Sequence, residues 1–258
     1  MLNLSKVITI ARYTFKEILK SRILYSTIIC GLSLIVITFV ATEFTYGVPE
    51  KIALDFGLGM LSISSLGISL FMGATLLSKE IESRTVYMVI SRPVPRWAFI
   101  VGKLMGLMGV LIVNVGILSL MTLTCVSLLG GNISSIILLA ILFNILECLL
   151  LLLVVVFFSL FSNPILSSII TTLILVLGHA VRETQLTHFV QSRPLLKTIL
   201  SFYHLVLPAF YKLNLKEFVT YKQHIENDYL VLAATYGGLY SLFLLLMIIF
   251  LFNRRNID

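Results

Sequence analysis

The sequence predicts an all-α integral membrane protein of six transmembrane helices, a single domain over residues 1–258. Three observations predict it. Of the 258 residues 59% are hydrophobic and only 12% charged, and the mean hydropathy is +1.05. A soluble domain carries about 25% charged residues to cover its surface, so most of this surface must face lipid. The apolar residues also gather into runs that reach or approach the roughly 20 a helix needs to cross the hydrocarbon core.

Residues 4–20 come first and read as an amphipathic helix. At about 100° per residue, Leu4, Val7, Ile8, Ile10, Ala11, Phe15, Ile18 and Leu19 share one half of the wheel. Lys6, Arg12, Lys16, Glu17 and Lys20 occupy the other. Such a helix is expected in the headgroup plane, its basic face toward water and anionic lipid. The alternative is a cytosolic helix packed on a partner. No cleavable signal peptide is expected, because the first apolar run begins only at Ile23, after this charged segment.

The expected spans are 23–41, 56–77, 99–129, 133–161, 165–181 and 229–252. The third and fourth exceed what a perpendicular helix needs, so tilt or extension past the bilayer follows. Gly130-Gly131-Asn132 and Ser162-Asn163-Pro164 supply the turns on either side of the fourth. Cys30, Cys125 and Cys148 all lie in apolar stretches without C-x-x-C spacing and read as packing residues.

Orientation follows from the short flanks. Lys6, Arg12, Lys16, Lys20 and Arg22 precede the first span, and Lys79, Arg84, Arg92 and Arg96 lie between the second and third. Arg254 and Arg255 close the chain, whereas the first-to-second link has Lys51 against Glu43, Glu50 and Asp55. The positive-inside rule makes both termini and segment 79–97 cytoplasmic. Segment 182–228 then lies outside despite its bases Arg182, Arg193, Lys197, Lys212, Lys216 and Lys222, since the bias is strongest in short loops. Its apolar stretch 195–207 is expected to lie in the outer interface or to dip in and out of it. The net charge of +7 is topological on this reading. Nucleic acid is not an expected partner, because the bases sit at helix ends and not in a groove with aromatics.

No catalytic constellation is visible. There is no G-x-x-x-x-G-K-[ST] for nucleotide phosphates, and His179, His188, His204 and His224 fit no compact metal motif, so no metal site is expected. Glu147 stands near the middle of the fourth span. A charged acid there costs about 2.5–3.5 kcal/mol on insertion scales, so it needs a partner or a proton. Substrate or proton contact and a polar clamp between helices are both open. Small residues crowd the second span (Ser62, Ser65, Gly67, Ser69) and the fifth (Ser168, Thr171, Thr172, Gly178). Close helix approach is what such residues allow, so Ser62, Ser65, Ser69, Glu147, Ser168, Thr171 and Thr172 are candidates for a dimer interface or translocation path.

In segment 79–97 a short charged helix is expected to end at Arg92-Pro93, with Trp97 as an interfacial anchor. Its run Leu77-x-x-Glu80-x-Glu82-x-x-Thr85, followed by Ser91-Arg92-Pro93-Val94 and Gly102-Lys103, resembles the signature of type-2 ABC exporter permeases. It is most like the short-chain group that includes the permease of the nitrous-oxide-reductase maturation system. The family's usual residue before the threonine is Gly, where this chain has Arg84. Leu207-Pro208-Ala209-Phe210-Tyr211-Lys212-Leu213-Asn214-Leu215 resembles a recurring outer motif of the group, and the likeness extends over nearly the whole chain.

The resemblance implies a permease subunit of the bacterial inner membrane, working as a homodimer with two copies of a separate ATPase. Segment 4–20 would be the elbow helix, with Arg12, Lys16 and Lys20 on its basic face. Lys79, Glu80, Glu82, Arg84, Thr85 and Arg92 would form the coupling segment. The chain itself would bind no cofactor and hydrolyse nothing; ATP and Mg would belong to the ATPase. Membrane lipid and an extracytoplasmic accessory protein are further expected partners. Two alternatives stand beside export: a mechanotransmitter driving an outer protein partner, and a membrane-embedded enzyme, for which Glu147 is nearly alone.

Overall fold

The computed structural model describes residues 2–20, 23–44, 49–82, 95–186, 207–220 and 225–254. Among them all regular structure is helical: α1 (Leu2–Lys20), α2 (Ile23–Glu43), α3 (Pro49–Glu82), α4 (Arg96–Leu128), α5 (Ser135–Ser159), α6 (Pro164–Leu186), a 3-10 turn (Phe210–Lys212), α7 (Lys216–Thr220) and α8 (Asn227–Arg254). Five are long and apolar enough to cross a membrane, over Tyr25–Glu43, Pro49–Leu76, Arg96–Leu128, Ser135–Ser159 and Asp228–Arg254. The chain is thus built as a multi-pass membrane protein. The apolar part of α6, Pro164–Ala180, is shorter.

Proline and glycine set most boundaries. Pro49 and Pro164 open α3 and α6 at the position where a missing N–H costs nothing. Extended Pro95 precedes α4. The α4–α5 turn passes through Gly130 at φ 82°, a left-handed conformation that favours glycine. α3 starts earlier than the apolar run at Phe56, because Glu50 in its first turn suits the helix dipole even though it is polar.

α5 is the central helix. It packs on α3, α4, α6 and α8, and Leu150 through Val156 are all buried, as expected of a helix that is apolar all round. Ser62 meets Asn144 and Gly73 meets Leu152 and Val155, so α3 and α5 run the same way. Gly57 meets Thr122 and Ser64 meets Asn114, so α3 and α4 run oppositely. At the end where α3 finishes and α4 begins, α8 also finishes: Arg96 reaches the carbonyl of Asn253, and Phe99 stacks on Phe252.

α1 does not stand apart from this bundle. Gly102 faces Val7 and Ile10, Gly106 faces Ala11 and Thr14, and Gly109 faces Phe15. The register advances together in both helices, so α1 lies along α4 in the same direction. α2 continues along the rest of α4, with Thr27 on Asn114 and Gly31 on Met121. The amphipathic face is therefore spent mainly on protein. Val7, Thr14 and Ile18 are buried, while Leu4 (68% exposed) and Ile8 (56%) are left at its margin. The bases Arg12, Lys16 and Lys20 are exposed on the other side.

Candidate functional site

Among the described residues, three groups of polar side chains join helices across the apolar interior. On one side of α3, Asn114 donates from Nδ2 to Thr27 Oγ1 (2.7 Å) and Ser64 Oγ (3.2 Å), tying α2, α3 and α4. On another, Ser62 donates to Asn144 Oδ1 (2.9 Å) and Asn144 Nδ2 donates to Ser65 Oγ (3.3 Å), tying α3 to α5. One turn further along α5 comes the third, Glu147. It is 2% exposed, and its Oε1 lies 3.3 Å from Nε2 of His179 on α6, which is 32% exposed.

His179 is held on both ring nitrogens and on one face. Nδ1 lies 3.0 Å from the Leu175 carbonyl. A carbonyl only accepts, so Nδ1 carries a hydrogen. The ring lies 6.2 Å from that of Phe210 and within 5° of parallel. Beside it Gly178 admits this segment closely: a Cβ there would stand 2.8 Å from Phe210 Cδ2 and 2.9 Å from the Pro208 carbonyl.

Segment 207–220 is thus seated inside the bundle. Phe210 and Leu213 are fully buried. The Ala209 N–H donates to Tyr236 Oη (2.9 Å), Tyr229 Oη donates to the Lys212 carbonyl (3.3 Å), and Lys212 Nζ sits over the Tyr236 ring. Leu213 and Leu146 both press on Gly237. At about 1.5 Å per residue, that contact is roughly 16 Å along α5 from Ser135, about half of a 30 Å hydrocarbon core. The segment then rises, and Thr220 donates to Asp55 of α3. Of the apolar stretch 195–207, only Leu207 lies within the described residues.

Lys216 follows this dip and couples electrostatically to Glu147 and Cys148. Burial holds its ammonium below the ordinary lysine range, and the nearby Glu147 pulls it partly back. Cys148 is fully buried against Ser65 and Ser69. A carboxyl and an imidazole thus meet in an apolar interior, with an amine within electrostatic reach, a setting for holding and passing protons.

The candidate path residues divide between two places. Ser62, Ser65 and Ser69 are buried and bonded within the chain, where they seat α3 on α5. Ser168 and Thr172 instead line a groove of about 490 Å³ between α3 and α6, with Phe71, Ala74, Thr75 and Ile169. Thr171 is buried, and its Oγ1 has no hydrogen-bond partner. Lys79, Glu80 and Glu82 fall in the last turns of α3; Arg84, Thr85 and Arg92 lie outside the described residues.

Sequence reasoning missed His179, Lys216, Asn114 and Asn144 as functional partners. The two asparagines carried a usable signal, since an amide deep in an apolar helix needs an interhelical partner. Nothing in spacing links Glu147 to His179 or Lys216, which come from separate elements. No protein-family model and no curated relative matches the chain.

Proposed function

We propose that this chain is the membrane-spanning permease subunit of an ABC exporter, worked by a separate ATPase. The observation that carries the reading is the overreach of α3. Its apolar stretch stops at Leu76, but the helix runs on through Lys79, Glu80 and Glu82. At about 51 Å it is far longer than a 30 Å hydrocarbon core. A charged helical extension between two spans is what a cytoplasmic motor needs to grip, and it carries the first part of the sequence signature described above, Leu77, Glu80 and Glu82.

Charge polarity supports the same placement. Arg96 and Arg254 stand at the end where α3 finishes, while Glu43, Glu50, Asp55 and Asp228 stand at the other. With α6 as the sixth span, the positive-inside rule puts both termini and segment 83–95 in the cytoplasm. α1 then serves as the elbow. Its bases face outward, and its glycine-lined contact passes a push from the ATPase to α4. Two copies pair, and the α3–α6 groove with Ser168 and Thr172 is the proposed path. ATP and Mg reside in the partner, and closure of its dimer shifts the permease between conformations.

A second reading, mechanotransmission to an outer protein, is favoured by one observation: segment 207–220 is bonded to α3 and α8 and packed on α6, and would move with them. Affinity purification of the tagged chain in mild detergent, with mass spectrometry and an ATPase assay, tests the shared premise. A P-loop ATPase is expected with the native chain and is expected to be lost or uncoupled in Glu82→Arg. Absence of any ATPase refutes both readings. In liposomes, stimulation of hydrolysis by a small molecule supports export, and a response only to an outer protein supports mechanotransmission.

A further inference from the structure

We infer that Glu147 and His179 form a buried proton-binding site whose occupancy holds segment 207–220 in its seat. The argument starts from two facing atoms. Glu147 Oε1 and His179 Nε2 are 3.3 Å apart, and both are acceptors unless one of them carries a hydrogen. The other ring nitrogen does not resolve this, because Nδ1 already spends its hydrogen on the Leu175 carbonyl. The contact therefore exists only with an additional proton, as imidazolium against carboxylate or as carboxylic acid against neutral imidazole. Without that proton, lone pair faces lone pair at a carboxyl that is itself buried, where repulsion is poorly screened.

The proton has a mechanical consequence because of what lies on the ring. Phe210 covers the face of His179, and Pro208 and Phe210 fill the space left by Gly178. A rotation of the imidazole away from Glu147 strips this support from the start of the segment. The ionisable surroundings are few among the described residues. Lys216 approaches from α7, and Cys148 adjoins Glu147 on α5. α3 turns the hydroxyls of Ser65 and Ser69 toward Cys148, and α8 offers Tyr229 and Tyr236, engaged with Lys212 and Ala209. Arg96, Lys103 and Cys125 of α4 lie toward its two ends. When the pair is empty, Lys216 is the cation among the described residues that couples to Glu147.

Amide hydrogen exchange on the full chain in detergent micelles tests this without reference to transport. Protection of amides 207–216, corrected for intrinsic chemical exchange, is expected to fall about tenfold or more in the wild type between about pH 5 and 9. Glu147→Gln presents an amide N–H to Nε2 with no titrating proton. It is expected to keep the segment protected and to remove the pH dependence. His179→Phe keeps a ring on Phe210 but has no Nε2, and is expected to leave the segment poorly protected at every pH. A flat wild-type profile, or loss of protection in Glu147→Gln equal to that in His179→Phe, overturns the proposal. If His179→Phe loosens α4 as well and so fails to fold, wild type against Glu147→Gln still decides.

Discussion

Replacing Gly106 by alanine probes the α1–α4 contact with one added carbon. That Cβ would stand 2.7 Å from the Ala11 carbonyl oxygen and 2.7 Å from Thr14 Cβ. Ordinary contact begins at 3.4 Å, so α1 must retreat by about 0.7 Å. The obstacle is partly backbone, which no side-chain rotation removes. Overpacking of this kind costs about 1–3 kcal/mol, against a helix-propensity gain of up to about 1 kcal/mol for Gly→Ala. Gly116, two to three turns further along the same helix, meets nothing within 4 Å, so Gly116→Ala collects the gain alone. The two variants should therefore differ by about 1–3 kcal/mol, or about 2–12 °C in Tm at roughly 2–4 °C per kcal/mol. Thermal unfolding in one detergent measures the difference, and amide exchange over residues 7–18 should rise only in Gly106→Ala. Equal Tm values for the pair would refute the close packing of α1 on α4 and return α1 to the bilayer surface.

Asn114→Ala removes the bonds to Thr27 and Ser64 together and is expected to cost about 1–2 kcal/mol, since interhelical bonds in membranes average about 0.6 and reach about 1.7 kcal/mol; the Tm of the variant checks it. Lys216 gives a pH effect of definite sign. Its folded-state ammonium is held below the ordinary value of 10.5, so the unfolded chain binds more protons between the two values. Stability from this group therefore rises with pH through the window just below 10.5. Lys216→Met should flatten the slope of Tm against pH there, and an unchanged slope would place the lysine in water.

The fold was legible where one physical rule dominated. The long apolar runs placed α2, α4, α5 and α8 to within a few residues, because hydropathy alone decides whether a helix suits lipid. It was less legible at α3, where Glu50, Lys51 and Asp55 interrupt the apolar pattern but not the helix. α1 shows why periodicity falls short: an amphipathic face states that something apolar covers it, not whether that is lipid or Gly102, Gly106 and Gly109. The candidate site was legible by half. Glu147 stood out because a carboxyl in an apolar span demands explanation, but its partner sits on a different helix, and only tertiary packing selects His179 from the four histidines. The small residues of α3, read from sequence as candidates for a dimer interface or translocation path, signalled close helix approach, but that Ser62 and Ser65 meet Asn144 of α5 was not readable from their spacing.

The converging side chains also emerge from the ribosome in a fixed order. Glu147 must enter the bilayer when α5 is made, before the lysine that helps to neutralise it has been translated. His179 belongs to the very next helix, and segment 207–220 arrives only with α7 and α8. The imidazole is thus the first basic group of the site available to the nascent carboxyl, and Lys216 joins a pair that has already met. Insertion of α5 without α6 would strand an acid in hydrocarbon, so these two helices are expected to partition into the membrane as a hairpin, joined by the short turn at Asn163-Pro164.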